Sequence, residues 1–280
     1  MERLKSVEAM ARWRRTAAGS IGFVPTMGFL HEGHLSLVRR ARAENQSVVV
    51  SIFVNPTQFG PTEDFTAYPR DLRRDLAELD REGVTAVFIP SLDAIYPAEY
   101  STYVSVERLT ERWESASRPG HFRGVATVVL KLFNIVRPDR AYFGQKDYQQ
   151  LQVVRQMIKD LNVPIAIVGC PIIREPDGLA MSSRNAYLSF GERQAAGVLY
   201  RALKAAEERY RVGERNAEQI RRAMEDVLSA ELQAQTDYVA VADPETLEPL
   251  ERIDERGAVC CLAVRIGKTR LIDNLLLGAR

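Results

Sequence analysis

The sequence predicts an α/β protein built on a doubly wound parallel sheet, followed by a smaller α+β domain. Three observations carry this reading. Short β-branched runs alternate with amphipathic helical stretches along the first part of the chain, the alternation stops near Ile173, and the remainder offers helices first and strands last. Right-handed strand–helix–strand connections then place helices on both faces of the first sheet. The expected domains are residues 1–173 and 174–280, the second acting as a lid.

IGFVPT, from Ile21, and SVVVSIFV, from Ser47, are apolar runs bounded by turn residues, as buried strands are. Between them HLSLVRRARAE sets Leu35, Val38 and Ala41 on one helical face. DLRRDLAELDREG repeats the helical spacing with Leu72, Leu76 and Leu79, stops at Gly83, and gives way to the strand-like VTAVFIP. After a less regular stretch, GVATVVLKLFNIVRP reads as a buried helix closed by Pro138 and RAYFG as a strand. KDYQQLQVVRQMIKDLN is a further helix and PIAIVGCPI a further strand. Beyond Ile173, REPDGLAMSSRNAYLS is polar and turn-rich. FGERQAAGVLYRALKAAEERYRVG and NAEQIRRAMEDVLSAEL follow as two helices. TDYVAVAD, GAVCCLAVRIG and TRLIDNLLL are strands, the last two joined by a turn at Gly267 and Lys268.

Bulk charge excludes some partners. Lys plus Arg (38) balances Asp plus Glu (37), so neither nucleic acid nor an anionic membrane is expected to be drawn to the whole molecule. No apolar run approaches the ~20 residues of a membrane span. The opening MERLKSVEAMARWRR is charged throughout and lacks the apolar centre of a secretory leader. Three cysteines, two of them adjacent, suit neither a disulfide framework nor a zinc set, and the cytoplasm is the expected compartment.

Ligands of an open parallel sheet bind beyond the carboxyl ends of its strands, and PTMGFLHEGH lies at that edge, between the first predicted strand and helix. A helix start offers unpaired N–H groups to phosphate, and Gly28 and Gly33 let the backbone approach closely. His31 and His34, three apart, project from one side of the turn and can donate to phosphate oxygens. The plain alternative is a helix cap carrying two solvated histidines. In a chain with 3 His and 17 Gly, the pattern His-x-Gly-His arises by chance about 0.002 times, which favours function. The spacing does not suit zinc.

These residues resemble the H-x-G-H signature of the nucleotidyltransferase superfamily. The resemblance implies a Rossmann-like nucleotide fold and a second, mobile loop rich in Lys, Ser or Arg. MSSRN supplies such a segment, with the hydroxyls of Ser182 and Ser183 and the planar cation of Arg184. FVNPTQFGPTEDFTAYPRD carries the amides Asn55 and Gln58 over the same edge. FGQKDYQQ adds Lys146 as a candidate phosphate-binding cation, with Gln150 one turn away. Amides suit a small polar substrate with hydroxyl and carboxylate groups, because each both donates and accepts.

Taken together, PTMGFLHEGH, SIFVNPTQFGPTEDFTAYPRD, RPGHFRGV, FGQKDYQQ, DGLAMSSRN and RLIDN resemble the pantoate–β-alanine ligase family over essentially the whole chain. The resemblance implies two steps. ATP and Mg²⁺ activate the pantoate carboxylate as an acyl adenylate with release of pyrophosphate, and the β-alanine amine then displaces AMP. By position it implies that Met27, Gly28, Phe29, Leu30, His31, Glu32, Gly33 and His34 form a first ATP segment, with His34 as proton donor. Gly144, Gln145, Lys146 and Asp147 form a second, Ile173 makes a backbone contact to adenine, and Met181, Ser182, Ser183 and Arg184 form the mobile phosphate loop. Gln58 and Gln150 match pantoate-binding amides, Gln58 also lying where β-alanine approaches, and Asn55 is a further contact. The catalytic set expected is His31, His34 and Lys146, in a homodimer.

Two positions depart from the family pattern. Gln145 stands where Glu is common, and Arg74 with Asp75 stands where some relatives carry an Asp pair toward Mg²⁺. Asp75 is then the one candidate metal ligand, against the default of a solvated helix face. For His121, in RPGHFRG, site shaping and loop packing both stay open. Two rival activities compete with this reading: a sister enzyme that leaves a nucleotide on its product, and a sensor of ATP or pantoate without turnover. The amide loop and second domain argue against the first, and the intact His31, His34, Lys146 and Arg184 against the second.

Overall fold

The structure, a computed structural model, describes residues 1–61, 63 and 65–278. It divides into two compact units, Met1–Gly144 with Val153–Pro171, and Gln145–Gln152 with Ile172–Arg280.

The first unit starts with β1 (Glu2–Leu4), α1 (Val7–Thr16), β2 (Ile21–Thr26), α2 (Glu32–Glu44) and β3 (Ser47–Ile52). There follow α3 (Leu72–Arg81), β4 (Ala86–Phe88), the single turns α4 (Leu92–Ile95) and α5 (Glu114–Ser117), and the long α6 (His121–Val136). β5 (Arg140–Gly144), α7 (Tyr148–Asp160), whose residues as far as Gln152 belong to the second unit, and β6 (Ala166–Cys170) complete the order. All six strands pair in parallel in the order β1-β4-β3-β2-β5-β6. One face packs Val24, Val48, Val50 and Val87 against Leu37, Val38, Ala41 and Leu79 of α2 and α3. On the other side Phe133 of α6 meets Phe23 and Phe143 edge-on, both at 6.3 Å between centroids.

Two helical faces differ from their predicted stripes. In α2 the buried set is Leu37, Val38 and Ala41, with Leu35 only half-buried at the margin. In α3 Leu79 is buried but Leu72, at the helix start, is 43% exposed. The sequence pattern did not reveal β1 or α1, because β1 is three residues long and α1 buries only Met10 and Trp13 among arginines.

The chain reverses its strand order between β2 and β5, and the sheet opens there. β2 pairs with β3 from Ile21 through Thr26, but with β5 only at Gly22 and Phe23. Pro25, which has no N–H to offer, sits beyond the last of those pairs. The carboxyl end of β2 therefore enters a crevice at the topological switch point, the place where such sheets take ligands.

The second unit has α8 (Phe190–Ala196), α9 (Val198–Arg211) and α10 (Ala217–Ser229), then β7 (Ala234–Ala242), β8 (Ala258–Ile266) and β9 (Thr269–Leu277). The strands form an antiparallel sheet in chain order. Leu199 and Leu203 of α9, Ile220 and Met224 of α10, and Leu262, Val264 and Leu271 of the sheet share its core. The helix predicted as continuous from Phe190 is two helices, parted at Gly197, whose N–H turns back to the Gln194 carbonyl at 3.4 Å. The predicted turn at Gly267 and Lys268 joins β8 to β9, with Ile266 opposite Thr269 and Gly267 at a φ of 55° that favours glycine.

Candidate active site

His31 is the N-cap of α2, and the two histidines cap the helix reciprocally. The Nδ1 atom of His31 accepts from the Gly33 N–H at 3.1 Å, while that of His34 accepts from the His31 N–H at 3.4 Å. Their rings lie 4.1 Å apart, tilted by 44°. An imidazole that accepts at Nδ1 carries its proton at Nε2, so the cap fixes the same tautomer in both rings. Cap and function are thus not alternatives. Capping orients two Nε2–H donors at a helix N-terminus whose dipole already favours an anion.

The turn before the cap is held from α3. Gly28 and Phe29 take positive φ, 83° and 51°. Asp75, 1% exposed, accepts the N–H groups of Phe29 and Leu30 at 2.8 Å each, one on each carboxylate oxygen. Arg74 donates through Nη2 to the Leu30 carbonyl and lies over the Phe29 ring, 5.1 Å from its centroid. A side chain at Gly28 would press against Asp75 and Ile52, both 3.1 Å from a Cβ there. Burial pushes the Asp75 carboxyl up, against the two amides and Arg74 that pull it down. Asp75 is therefore not the solvated face residue of the default reading: it is buried, and each of its oxygens accepts one backbone N–H group. Among the described residues no group of three or more His, Cys, Asp or Glu could hold a metal. Glu32 is exposed and pairs with Arg39.

The amide loop is equally well anchored. Asn55, 1% exposed, caps the 3-10 turn Pro56–Gln58. Its Nδ2 donates to Gln58 Oε1 at 3.1 Å and to the Gly124 carbonyl at 3.2 Å. Its Oδ1 accepts from the Thr57 and Tyr96 hydroxyls at 3.0 Å each. Asn55 therefore positions Gln58. The Gln58 Nε2 atom lies 2.9 Å from the Met27 sulfur, which ties the amide to the H-x-G-H segment.

Residues of RPGHFRGV hold the same turn by its backbone. His121 donates from Nδ1 to the Gln58 carbonyl at 2.8 Å, and Arg118 Nη2 donates to the same oxygen at 3.2 Å. Arg118 also grips both oxygens of Glu63, at 2.7 and 2.8 Å. At Gly124 a Cβ would stand 2.3 Å from the Thr57 carbonyl oxygen, so only glycine lets α6 approach this closely. Both readings left open for His121 thus meet: it packs the loop, and the loop carries Gln58. Arg118, His121 and Gly124 recur every three residues, a signal that was present in the sequence.

In the second unit, Lys146 lies in the 3-10 turn Gln145–Asp147, Gln150 is half-buried on α7, and Asp147 is exposed. Met181 donates its N–H to the Ile173 carbonyl at 2.9 Å, closing a hairpin whose distal strand runs directly into Ser182, Ser183 and Arg184. Ser182 caps the 3-10 turn Ser183–Tyr187 by accepting from the Arg184 N–H at 3.3 Å.

A histidine-capped helix at the switch point of a parallel sheet is what an α/β enzyme working on nucleotide phosphates carries. The family model for pantoate-beta-alanine ligase matches residues 1–276. Pantothenate synthetase of Roseiflexus castenholzii is 60% identical over 95% of each chain, and that of Herpetosiphon aurantiacus 57% identical over 99% of this chain and all of its own. The crystal structure of pantothenate synthetase from Thermus thermophilus superposes with a TM-score of 0.94 at 52% identity, covering 98% of this chain and 99% of that one. The pantoate–β-alanine ligase of Francisella tularensis, crystallised with β-γ ATP and β-alanine, gives 0.82 at 35% identity over 99% of this chain and 97% of its own. The chain belongs to the pantoate–β-alanine ligase family, whose members condense pantoate with β-alanine in an ATP-dependent reaction.

Proposed function

We propose that this chain makes pantothenate through a pantoyl adenylate. The pantoate carboxylate oxygen attacks the α-phosphorus of ATP and pyrophosphate leaves. The β-alanine amine then attacks the acyl carbon, loses a proton, and AMP departs. Carboxylate is a poor nucleophile toward a polyanion, so the residues must align the reactants and stabilise the charge that grows on the leaving group. The observation that carries this reading is the reciprocal cap of His31 and His34 at the crevice end of β2. Their Nε2–H donors are proposed to meet the phosphates, with His34 donating to the departing pyrophosphate. Lys146, Ser182, Ser183 and Arg184 are proposed as further phosphate contacts, Ile173 as the adenine contact, and Gln58 and Gln150 as pantoate contacts.

Mg²⁺ would neutralise phosphate charge when bound. Asp75 is proposed to serve the backbone of the Phe29–Leu30 turn, whose two N–H groups it accepts, rather than the ion. The ion is proposed to arrive with the triphosphate. A homodimer in the cytoplasm is also proposed, and light scattering coupled to gel filtration tests the dimer. No helix among the described residues is long and apolar enough to cross a membrane.

The test of the chemistry is direct. With ATP, Mg²⁺ and pantoate alone, pyrophosphate should form to about one equivalent per site and stop. Addition of β-alanine should release AMP and pantothenate in equal amounts. Sustained AMP release without β-alanine, or a product that retains the nucleotide, would overturn the reading.

A further inference from the structure

RLIDN is the last of the chain's recognisable segments, far along the sequence from any residue assigned to substrate. In the structure its Asp273 and Asn274 are buried, 2% and 5% exposed, on β9. The Nδ2 group of Asn274 donates to two successive carbonyls, those of Gln145 and Lys146, at 2.9 Å each. One amide group thus clamps the backbone of the turn from which Lys146 projects. Asp273 binds Arg174 with both oxygens, at 2.6 and 3.0 Å. Arg174 in turn donates to the Gly178 carbonyl at 3.0 Å and pairs across an antiparallel bridge with Ala180, the residue before Met181. Its guanidinium also lies 4.3 Å from the centre of the Tyr200 ring.

Neighbours on a strand point to opposite faces, so this step in β9 reaches in two directions at once. Leu271, Leu275 and Leu277 line the face packed on the helices, which puts Asp273 on that face and Asn274 on the other. The pairs are buried, so losing one partner leaves polar groups unsatisfied and the turns free to shift. Burial pushes the Asp273 carboxyl up, while Arg174, the Asn274 N–H and the Lys146 ammonium pull it down.

We propose that Asp273 and Asn274 are positioning residues for adenylate formation, Asn274 setting the Lys146 turn and Asp273 setting, through Arg174, the base of the Met181 to Arg184 segment. One rigid strand thereby fixes the spacing between two groups of phosphate contacts. This rests on Lys146 acting on phosphate, as proposed above.

A double-mutant cycle in the full chain separates positioning from general support. Single-turnover formation of pantoyl adenylate is measured for wild type, Asn274→Ala, Lys146→Ala and the double variant, each checked for folding by thermal unfolding. Asn274→Ala should slow the step about tenfold. In the Lys146→Ala background the same substitution should change the rate by less than about twofold, because the group it positions is gone. Equal fold losses in both backgrounds, or a wild-type rate for Asn274→Ala, would overturn the proposal. A wild-type rate for Lys146→Ala would instead remove the phosphate role of Lys146, and this inference with it. If Asn274→Ala does not fold, Asn274→Ser keeps one hydroxyl donor at the turn and is read by the same cycle.

Discussion

His121 donates from Nδ1 to the carbonyl of Gln58 across 2.8 Å, while Arg118 donates to its Nε2 across 3.1 Å. The ring is thus neutral by construction, and burial, helped by the Arg118 cation, holds its pKa down to about 4. An unfolded histidine titrates near 6.5. Between those values the unfolded chain binds a proton that the folded chain refuses. The stability this site confers is therefore complete above about pH 6.5 and is lost as pH falls toward 4. Denaturant midpoints at pH 7 and pH 5 should differ less in His121→Asn than in the wild type. Equal falls would show that His121 does not titrate in this way.

A methyl group at Gly124 tests whether the turn that carries Gln58 matters to substrate. The Cβ of Gly124→Ala would meet the Thr57 carbonyl oxygen at 2.3 Å. Overpacking of this kind destabilises by roughly 1–3 kcal/mol. The sharper expectation is kinetic: the pantoate KM rises by about tenfold or more while the ATP KM stays near wild type. Unchanged pantoate saturation in a folded variant would count against Gln58 as a contact.

His31 serves as both cap and proposed phosphate donor, and two substitutions separate the roles. His31→Ala removes both and should cost about 1 kcal/mol of stability as well as rate. His31→Asn restores a capping oxygen without an imidazole. Its thermal midpoint should recover, yet adenylate formation should stay slowed by about a hundredfold, the scale of losing one preorganised donor. Recovery of rate together with stability would reduce His31 to a cap.

Asp75 offers a clean choice between metal binding and backbone positioning. Asp75→Asn presents an NH₂ group to two N–H donors, so the turn at Phe29 and Leu30 should loosen and kcat/KM should fall. The Mg²⁺ concentration giving half-maximal rate should not move. A several-fold rise in that concentration would return Asp75 to the metal.

The alternating periods of the first half of the chain made its parallel sheet legible, because strands and helices there are long enough to show them. Short edge elements such as β1 carry too few residues to do so. Among the candidate site residues, His31, His34 and Lys146 stood out in the sequence by their own chemistry and their place after strands. Their supports did not, for a physical reason. Asp75 meets Leu30 across 45 residues of sequence, and Asn274 meets Lys146 across 128. No local periodicity encodes such a bond, and an Asp on a polar helix looks solvated until the fold turns it inward.

The cap of α2 has a consequence in time. The Gly33 amide is held by the ring of His31, so its exchange with deuterated solvent acts as a clock on that ring. Whenever the first helical turn breathes open far enough to release Gly33, the ring loses the bond that keeps its proton on Nε2. Opening of the turn and loss of the donor tautomer proposed for His31 are then one event, and warming should favour both together.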